Sequence, residues 1–180
     1  MKLILTLHTT TKWDLVGRIK GWSDIPLNSQ GQKEADWLAK QLSSLDITSI
    51  ISSDLKRASE TAKIINSNIG APLQLNKNLR ECSFGKLEGL TKEQIAAQCG
   101  KMILSQFDER QYNEYDFKPF GGESRKDVLS RHLEVFNSLS KDDSHDTVLL
   151  VGHGLGLCTL LTGLGHTPDL ERGNYKIIDL

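Results

Sequence analysis

Two histidines, an arginine and a glutamate have the side chains that a phosphate-handling site requires. His8 ends an aliphatic run at the start of the chain, and His153 follows a second apolar run. Arg57 lies in the first turn of a predicted helix, and Glu81 lies in a predicted loop. An imidazole can attack phosphorus, a guanidinium can donate two parallel hydrogen bonds to phosphate oxygens, and a carboxyl group can protonate a leaving group. The four residues therefore predict a site that holds a phosphate group between His8 and His153.

The segments around these residues alternate between strand and helix patterns. Short aliphatic runs predict strands over 2–8, 47–51, 73–75, 147–151 and, at an edge, 175–180. Helical spacing and capping residues predict helices over 29–45 and 53–70, and further helices that open at Thr91 and Glu123. This alternation predicts a three-layer α/β fold with a doubly wound, mostly parallel sheet and helices on both faces. Ligands of such sheets bind beyond the carboxyl ends of the strands, where His8 and His153 are expected.

The composition predicts one ordinary globular domain, residues 1–180. Hydrophobic residues make up 38% and charged residues 25% of the chain, and no repeat or linker divides it. Because the formal net charge is -1, we expect neither a nucleic-acid partner nor attraction to an anionic membrane. The apolar runs are too short to span a bilayer and nothing resembles a signal peptide, so we expect a cytoplasmic protein. The sequence does not determine its oligomeric state. The thiols of Cys82, Cys99 and Cys158 are expected to be buried and inert.

Six ordered motifs along nearly the whole chain resemble the histidine phosphatase superfamily, also called phosphoglycerate mutase-like. They are LHTTTKWD at 7–14, GRIKGWSDIPLNSQG at 17–31, SSDLKRASETA at 52–62, LRECSFGKLEG at 79–89, GGES at 121–124 and VGHG at 151–154. The resemblance implies a phosphohistidine on His8, phosphate binding by Arg57 and His153, a general acid and base at Glu81, and no metal or other cofactor. Further candidates for the substrate pocket are Thr11, Asp14, Arg18 and Arg80.

The opening motif departs from the family pattern of Arg-His-Gly, any residue, Thr or Ser, two more residues, and Asn. Leu7, Thr9 and Asp14 occupy its first, third and last positions. Leu7 removes a guanidinium and Asp14 adds a carboxylate, so we expect weaker anion binding. Both changes would also raise the pKa of His8 and favour imidazolium, which is not a nucleophile. Candidates to replace the missing positive charge are Lys12, Arg18 and Arg80.

The leading hypothesis is a phosphomonoester hydrolase that acts on a small phosphorylated metabolite through phosphohistidine. The layout is most similar to α-ribazole phosphatases, which makes α-ribazole phosphate one candidate substrate. Phosphoglycerate mutase activity ranks lower, because mutases of this family have an extra insertion and a longer tail. The alternative is an impaired pseudophosphatase that binds a phosphorylated ligand or inorganic phosphate. A third hypothesis, in which His8, His153, Glu81 and Asp14 hold a metal, has suitable ligands but no local ligand spacing.

Simpler structural roles compete with each functional assignment. Arg57 could only pair with Glu60 on its helix, and Glu81 could be a solvated loop acid. Gly121, Gly122 and Ser124 fit a turn and a helix cap as well as a pocket border. Structural roles are also expected for the other histidines and for the tryptophans, and Trp13 and Trp22 are additional candidates for the substrate mouth; these residues are His132, His145, His166, Trp13, Trp22 and Trp37.

Overall fold

The apolar runs form the strands of one sheet, whose order is β3-β2-β4-β1-β5. The computed structural model describes residues 1–107, 114–139 and 146–179. Its strands are β1 (Lys2–Leu7), β2 (Ser49–Ser52), β3 (Leu73–Leu75), β4 (Thr147–Gly152) and β5 (Tyr175–Asp179). Strands β1 to β4 pair in parallel, and β5 pairs antiparallel with β1 at the edge. The predicted edge strand therefore exists, with Leu180 outside the described residues.

Six α-helices surround this sheet in the described part of the chain. They are α1 (Lys12–Leu15), α2 (Ser29–Leu42), α3 (Lys56–Ile69), α4 (Lys92–Cys99), α5 (Arg125–Leu139) and α6 (Gly154–Gly163). Short 3-10 helices cover Lys77–Leu79, Gly85–Leu87, Lys101–Phe107 and Lys118–Phe120. None of the described helices is long and apolar enough to cross a membrane.

Alternate residues of the central strands pack on opposite faces of the sheet. Leu3 and Leu5 belong to an apolar cluster with residues of α5 and α6, whereas Ile4 belongs to a cluster with residues of α2 and α3. Because successive strand side chains point to opposite faces, one aliphatic strand supports both layers of helices. This arrangement confirms the predicted three-layer α/β fold with a mostly parallel sheet.

The predicted helix ends needed three corrections. Helix α2 ends at Leu42 rather than at residue 45. Helix α3 is capped at Leu55 rather than Ser53, whose Oγ accepts a hydrogen bond from the Leu55 N–H at 3.3 Å. Helix α5 begins at Arg125 rather than Glu123, because Ser124 Oγ and N–H bind the carboxylate of Asp127. The predicted stop at Gly70 is confirmed, since this residue adopts φ 74° at the end of α3.

Candidate active site

The two histidines meet because they follow neighbouring parallel strands in register. Leu7 pairs with Gly152, and the His8 N–H donates to the Gly152 carbonyl at 2.9 Å. The imidazole rings of His8 and His153 lie 5.3 Å apart between centroids, at an interplanar angle of 55°. His8 Nδ1 lies 2.7 Å from the Thr9 carbonyl oxygen, which can only accept a hydrogen bond. Nδ1 therefore holds the proton, and the lone pair of Nε2 is free for the cavity that His8 lines.

Arg57 and His153 are buried and hold nitrogen atoms without a hydrogen-bond partner. Arg57 donates to the carbonyls of Ser23 at 2.9 Å and Gly21 at 2.7 Å, but its Nε has no acceptor among the described residues. Both ring nitrogens of His153 also lack a partner there. Burial first, and then the Arg57 charge, hold the pKa of His153 well below its usual value. Since buried polar groups are normally paired, the Arg57 Nε on the cavity wall indicates a place for an acceptor from a ligand. His153 lies behind His8 and is not itself one of the lining residues.

The simpler pairing of Arg57 with Glu60 does not occur. The Glu60 carboxylate accepts from the Leu27 N–H at 2.9 Å, while the Arg57 guanidinium binds backbone carbonyls. Burial lowers the pKa of Arg57 to about 10, with the Glu81 charge acting in the opposite direction. The guanidinium is therefore a buried cation at neutral pH, held by carbonyl oxygens rather than by a directly bonded carboxylate.

Glu81 is a buried carboxyl group in the same cavity. Its Oε1 accepts from the N–H groups of Cys82 at 2.8 Å and Gly156 at 3.0 Å. Burial raises the pKa of Glu81, although these two hydrogen bonds and the Arg57 charge oppose the shift. A carboxyl group with a raised pKa is suited to give a proton to a leaving oxygen.

The loop that holds Glu81 is fixed by side chains from two other segments. Arg131 donates to the carbonyls of Asn78, Arg80 and Glu81 at 2.6 to 2.9 Å, and pairs with the Glu123 carboxylate at 2.9 Å. Trp22 Nε1 also donates to the Glu81 carbonyl, at 2.8 Å. The position of Glu81 is therefore set by backbone contacts of its own loop, which leaves its carboxyl group for the cavity.

The cavity has a volume of about 150 Å³ and a strongly cationic lining. Besides His8, Glu81 and parts of the surrounding loops, its walls include five cationic side chains: Arg18, Lys20, Arg57, Lys92 and Arg172. Glu81 is the acidic side chain among the lining residues. Leu7, in the position of the motif arginine, lines the same cavity. A small anion with negative charge spread over several oxygens fits this environment.

Asp14 is neutralised by two of these cations, which sequence analysis did not identify. Its Oδ1 lies 2.7 Å from Lys20 Nζ and 2.8 Å from an Arg172 amino nitrogen. Its Oδ2 accepts from the N–H and Oγ1 of Thr11 at 2.8 and 2.7 Å. Burial alone would raise the pKa of Asp14, but Lys20 and Arg172 hold it well below its usual value. The prediction that Asp14 repels an anion is therefore wrong, because the positive charges of Lys20 and Arg172 outweigh its negative charge.

The expected rise in the pKa of His8 is also wrong. Burial first, then the charges of Arg57, Arg172 and Lys20, hold the pKa of His8 well below its usual value. The prediction considered the loss of the motif arginine and the gain of Asp14, but not the two cations that Asp14 gathers. His8 is therefore a neutral imidazole at neutral pH.

The other predicted pocket residues have different positions. Arg18 lines the cavity and donates to the Gly89 carbonyl. Arg80 instead forms a bidentate pair with the Asp54 carboxylate. Its Cζ lies 5.1 Å from the centroid of the Trp22 ring. Neither Lys12 nor Thr11 is part of the cavity wall. Asp14 is not part of it either, but it pairs with Lys20 and Arg172, which are. Of the three proposed replacement cations, the structure places only Arg18 at the cavity.

The exposure of the cysteines and tryptophans differs in part from the expected burial. Cys82 and Cys158 are buried as expected, but Cys99, the last residue of α4, is exposed, which corrects the expectation for this thiol. Trp37 is 51% exposed and Trp22 is 42% exposed, so core packing does not describe either side chain.

The remaining cap and histidine residues have the following environments. Ser124 is the cap of α5, as one of its two interpretations held. His132 is buried, with its Nδ1 2.9 Å from the Val128 carbonyl and its Nε2 without a hydrogen-bond partner among the described residues. It does not line the cavity, and His166 is half-buried. His145 lies outside the described residues. Within the described ranges, no three His, Cys, Asp or Glu residues form a group that could hold a metal ion.

Comparison with known proteins gives matches along almost the whole chain. The sequence model of the histidine phosphatase superfamily (branch 1) matches residues 3–178. The protein named "Probable phosphoglycerate mutase GpmB" from Proteus mirabilis is 34% identical over 177 residues, covering 96% of this chain and 79% of that protein. A mycobacterial glucosyl-3-phosphoglycerate phosphatase, solved with VO3, superposes with a TM-score of 0.85 at 27% identity, covering 99% of this chain and 92% of that one.

A candidate alpha-ribazole-5′-P phosphatase from Escherichia coli K-12 also superposes, with a TM-score of 0.84. It is 24% identical and covers 100% of this chain and 91% of the other. At this identity the likeness concerns the fold alone.

Proposed function

The chain belongs to the histidine phosphatase superfamily, branch 1, and from this membership we propose that it hydrolyses small phosphomonoesters through a phosphohistidine on His8. The observation that supports this most directly is the unpaired Nε of Arg57 and the unpaired ring of His153 beside His8. These donors would bind phosphoryl oxygens while the neutral His8 Nε2 attacks phosphorus. Glu81 would be the general acid and then the general base.

The first half of the reaction would transfer the phosphoryl group to the protein. The lone pair of His8 Nε2 forms a bond to phosphorus as the bond from phosphorus to the ester oxygen breaks. Glu81 gives its proton to that oxygen, which leaves as an alcohol. The Nδ1 proton remains directed at the Thr9 carbonyl, 2.7 Å away, and so fixes the ring orientation. Arg57 stabilises the negative charge on the transferring oxygens, which an arginine can do through two parallel hydrogen bonds.

The second half would return the protein to its starting state. Ionised Glu81 takes a proton from a water molecule as the water oxygen attacks phosphorus. The bond between phosphorus and Nε2 then breaks, which releases inorganic phosphate and neutral His8. The lowered pKa of His8 favours this cycle, because the attacking ring must be neutral.

The cavity supports a small, acidic substrate. Its volume of about 150 Å³ accommodates a phosphate group. Arg18 and Lys92 lie on its wall next to each other, since residues 18 and 91 form a bridge between their backbone segments. These two cations favour an alcohol part with a second anionic group. The assays therefore compare small acidic phosphomonoesters with α-ribazole phosphate, whose larger alcohol part has no second anionic group.

The proposal is tested with p-nitrophenyl phosphate and with the His8→Ala variant, using His166→Ala as the matched control. We expect turnover by the wild type and by His166→Ala, and turnover at the blank level in His8→Ala. Base-stopped reactions analysed by mass spectrometry should show one phosphate on the peptide that contains His8, and this phosphate should be lost on treatment with acid. Turnover that persists in His8→Ala would contradict the proposed mechanism.

A pseudophosphatase is the second candidate, favoured by the apolar Leu7 in the cavity wall. It predicts binding of orthovanadate without turnover of any phosphomonoester. Transfer of the phosphoryl group between the hydroxyls of a phosphoglycerate, without release of phosphate, would instead indicate a mutase. Measuring released phosphate and rearranged product in the same preparation distinguishes the three candidates. A phosphatase gives phosphate, a mutase gives rearranged product, and a pseudophosphatase gives neither.

A further inference from the structure

We infer that Lys20 and Arg172, held in place by Asp14, bind phosphoryl oxygens on the side of the cavity where Leu7 provides no donor. This inference rests on the proposed function, because it assigns a role within the same site. It concerns two cations that come from separate parts of the chain and that line the cavity with Leu7 and His8.

The backbone brings Arg172 to the end of β1, and Lys20 meets it at Asp14. Strand β5 runs antiparallel to β1, so its first residue, Tyr175, pairs with Thr6, two residues before His8. The turn that carries Arg172 therefore lies beside the end of β1. Gly173 in that turn has φ 76°, which favours glycine. Lys20 arrives on a segment whose Ile19 N–H donates to the Leu90 carbonyl at 2.9 Å.

Asp14 orients the two cations and leaves hydrogen-bond donors free. Both bind the same oxygen, Oδ1, while Thr11 occupies Oδ2. An ammonium group has three N–H donors and a guanidinium has five, so each cation keeps donors for a ligand after its bond to Asp14. The side chains of Asp14 and Lys20 are 11% and 15% exposed, and that of Arg172 is 36% exposed. The group is thus largely shielded from water. Charge pairs are stronger in such a shielded environment than in water.

The net charge of the group matches that of the missing arginine. Two cations and one carboxylate leave one positive charge next to the cavity, as a single guanidinium from position 7 would. The same two cations, with Arg57, contribute to the lowered pKa of His8 after burial. The group therefore has two effects: it attracts the phosphoryl group and it keeps the attacking imidazole neutral.

The first test compares orthovanadate binding, measured by calorimetry, in the wild type and in Arg172→Ala and Lys20→Met. Lys40→Met is the control, because Lys40 is exposed on α2 and outside the cavity. We expect affinity to fall about 10- to 100-fold in each cavity variant, as for loss of one preorganised donor, and to be unchanged in Lys40→Met. Equal affinity in all four proteins would overturn the inference. This readout does not require turnover, so it applies even if the proposed hydrolysis fails.

The second test asks whether an arginine at position 7 replaces Arg172. In the Arg172→Ala background, we expect the added change Leu7→Arg to raise kcat/KM at least tenfold. The added change Leu7→Met should not raise it. If wild-type turnover depends on His8 but Arg172→Ala and Lys20→Met retain full kcat/KM, the inference is wrong and the proposed function stands. Leu7 is 5% exposed, so circular dichroism must first show that Leu7→Arg folds. Should it not fold, the vanadate affinities decide.

The third test concerns Asp14 as a positioning residue. Burial lowers the pKa of Lys20, and Asp14 acts against that shift. In Asp14→Asn the pKa of Lys20 should fall further, so vanadate binding should weaken with rising pH more steeply than in the wild type. In the Lys20→Met background the Asp14→Asn change should leave the pH profile unaltered. Parallel profiles of wild type and Asp14→Asn would refute this role, because loss of a merely structural contact would not change the pH dependence.

Discussion

At the scale of single residues, the site separates the protonation states of its attacking and proton-donating groups. The pKa of His8 is lowered by burial and by the charges of Arg57, Arg172 and Lys20, whereas burial raises the pKa of Glu81. The two shifts therefore favour the coexistence of a neutral imidazole and a protonated carboxyl group, which ordinary pKa values disfavour. Ordinary values would give the reverse tendency, since an unperturbed glutamate ionises at about 4.3 and an unperturbed histidine at about 6.5.

These shifts predict how kcat/KM depends on pH and on the leaving group. The raised pKa of Glu81 means that its acid form is lost as the pH rises through that value, so hydrolysis of an alkyl phosphate should decline on the alkaline side. Hydrolysis of p-nitrophenyl phosphate should decline less, because p-nitrophenolate leaves without a proton. The acid limb for both should lie well below the ordinary histidine pKa of about 6.5, since His8 becomes protonated only there.

The variant Glu81→Gln isolates the proton transfer. General acid catalysis contributes about 10² to 10⁴ in rate, so we expect kcat to fall by that range for the alkyl phosphate and by less for p-nitrophenyl phosphate. The amide oxygen of the introduced glutamine can still accept the hydrogen bonds that Cys82 and Gly156 donate to Glu81. Equal losses for both substrates, measured by initial rates, would show that Glu81 does not protonate the leaving group.

Sequence analysis identified residues that belong to local motifs and missed those that depend on distant contacts. His8, Arg57, Glu81 and His153 each lie in a motif or follow a clear strand or helix pattern, so their positions could be predicted. Arg172 lies in a turn without apolar periodicity, and its partner Asp14 is far away in the sequence. The one available signal was the predicted edge strand 175–180, because its pairing with β1 would bring the preceding turn to the site. Lys20 was within a quoted motif but had no distinguishing spacing.

At the scale of elements, the first two turns of α2 hold the loop that follows His8. The Thr9 hydroxyl donates to the Gly31 carbonyl at 2.8 Å, and Thr10 donates from its N–H and hydroxyl to the Glu34 carboxylate. A methyl group on Gly31 would lie 2.0 Å from the Thr10 carbonyl oxygen, which belongs to the backbone. The close approach of α2 to residues 9–11 therefore requires glycine at this position. The sequence predicted α2 itself, but not this contact, since it depends on the distance between two elements.

We expect Gly31→Ala to destabilise the protein by about 1 to 3 kcal/mol, as overpacking does, although alanine is the better helix former. Since the displaced backbone follows His8 directly, kcat/KM should fall as well. Gly163→Ala is the matched control in α6, where the new methyl would meet Leu129 Cδ1 at 2.4 Å, the end of a side chain that can move. Urea unfolding should show Gly163→Ala near the wild type. A stable Gly31→Ala would show that α2 can shift without cost.

At the scale of the whole molecule, the cavity joins segments from the two ends and the middle of the chain. Its wall is formed by residues 7–8, 18–21, 57, 81, 84, 92, 107, 154–155 and 172, which come from many separate strands, helices and loops. The parallel strand order was predictable because alternating strand and helix patterns specify it. The charge balance of the cavity was not, because it depends on where these distant segments converge.

This convergence predicts that inorganic phosphate stabilises the entire fold. An anion that binds only the folded chain at 100 times its Kd adds about 2.7 kcal/mol. For a chain of this size each kcal/mol raises Tm by about 2 to 4 °C, so the shift should be about 5 to 10 °C. Arg57→Gln should lose most of that shift because it removes the buried guanidinium, while Lys40→Gln on the exposed side of α2 should retain it. Calorimetric scans with phosphate, against chloride at equal ionic strength, provide the measurement. An equal shift in Arg57→Gln would mean that phosphate stabilises the protein from another site, because this cavity would then lack its most buried cation.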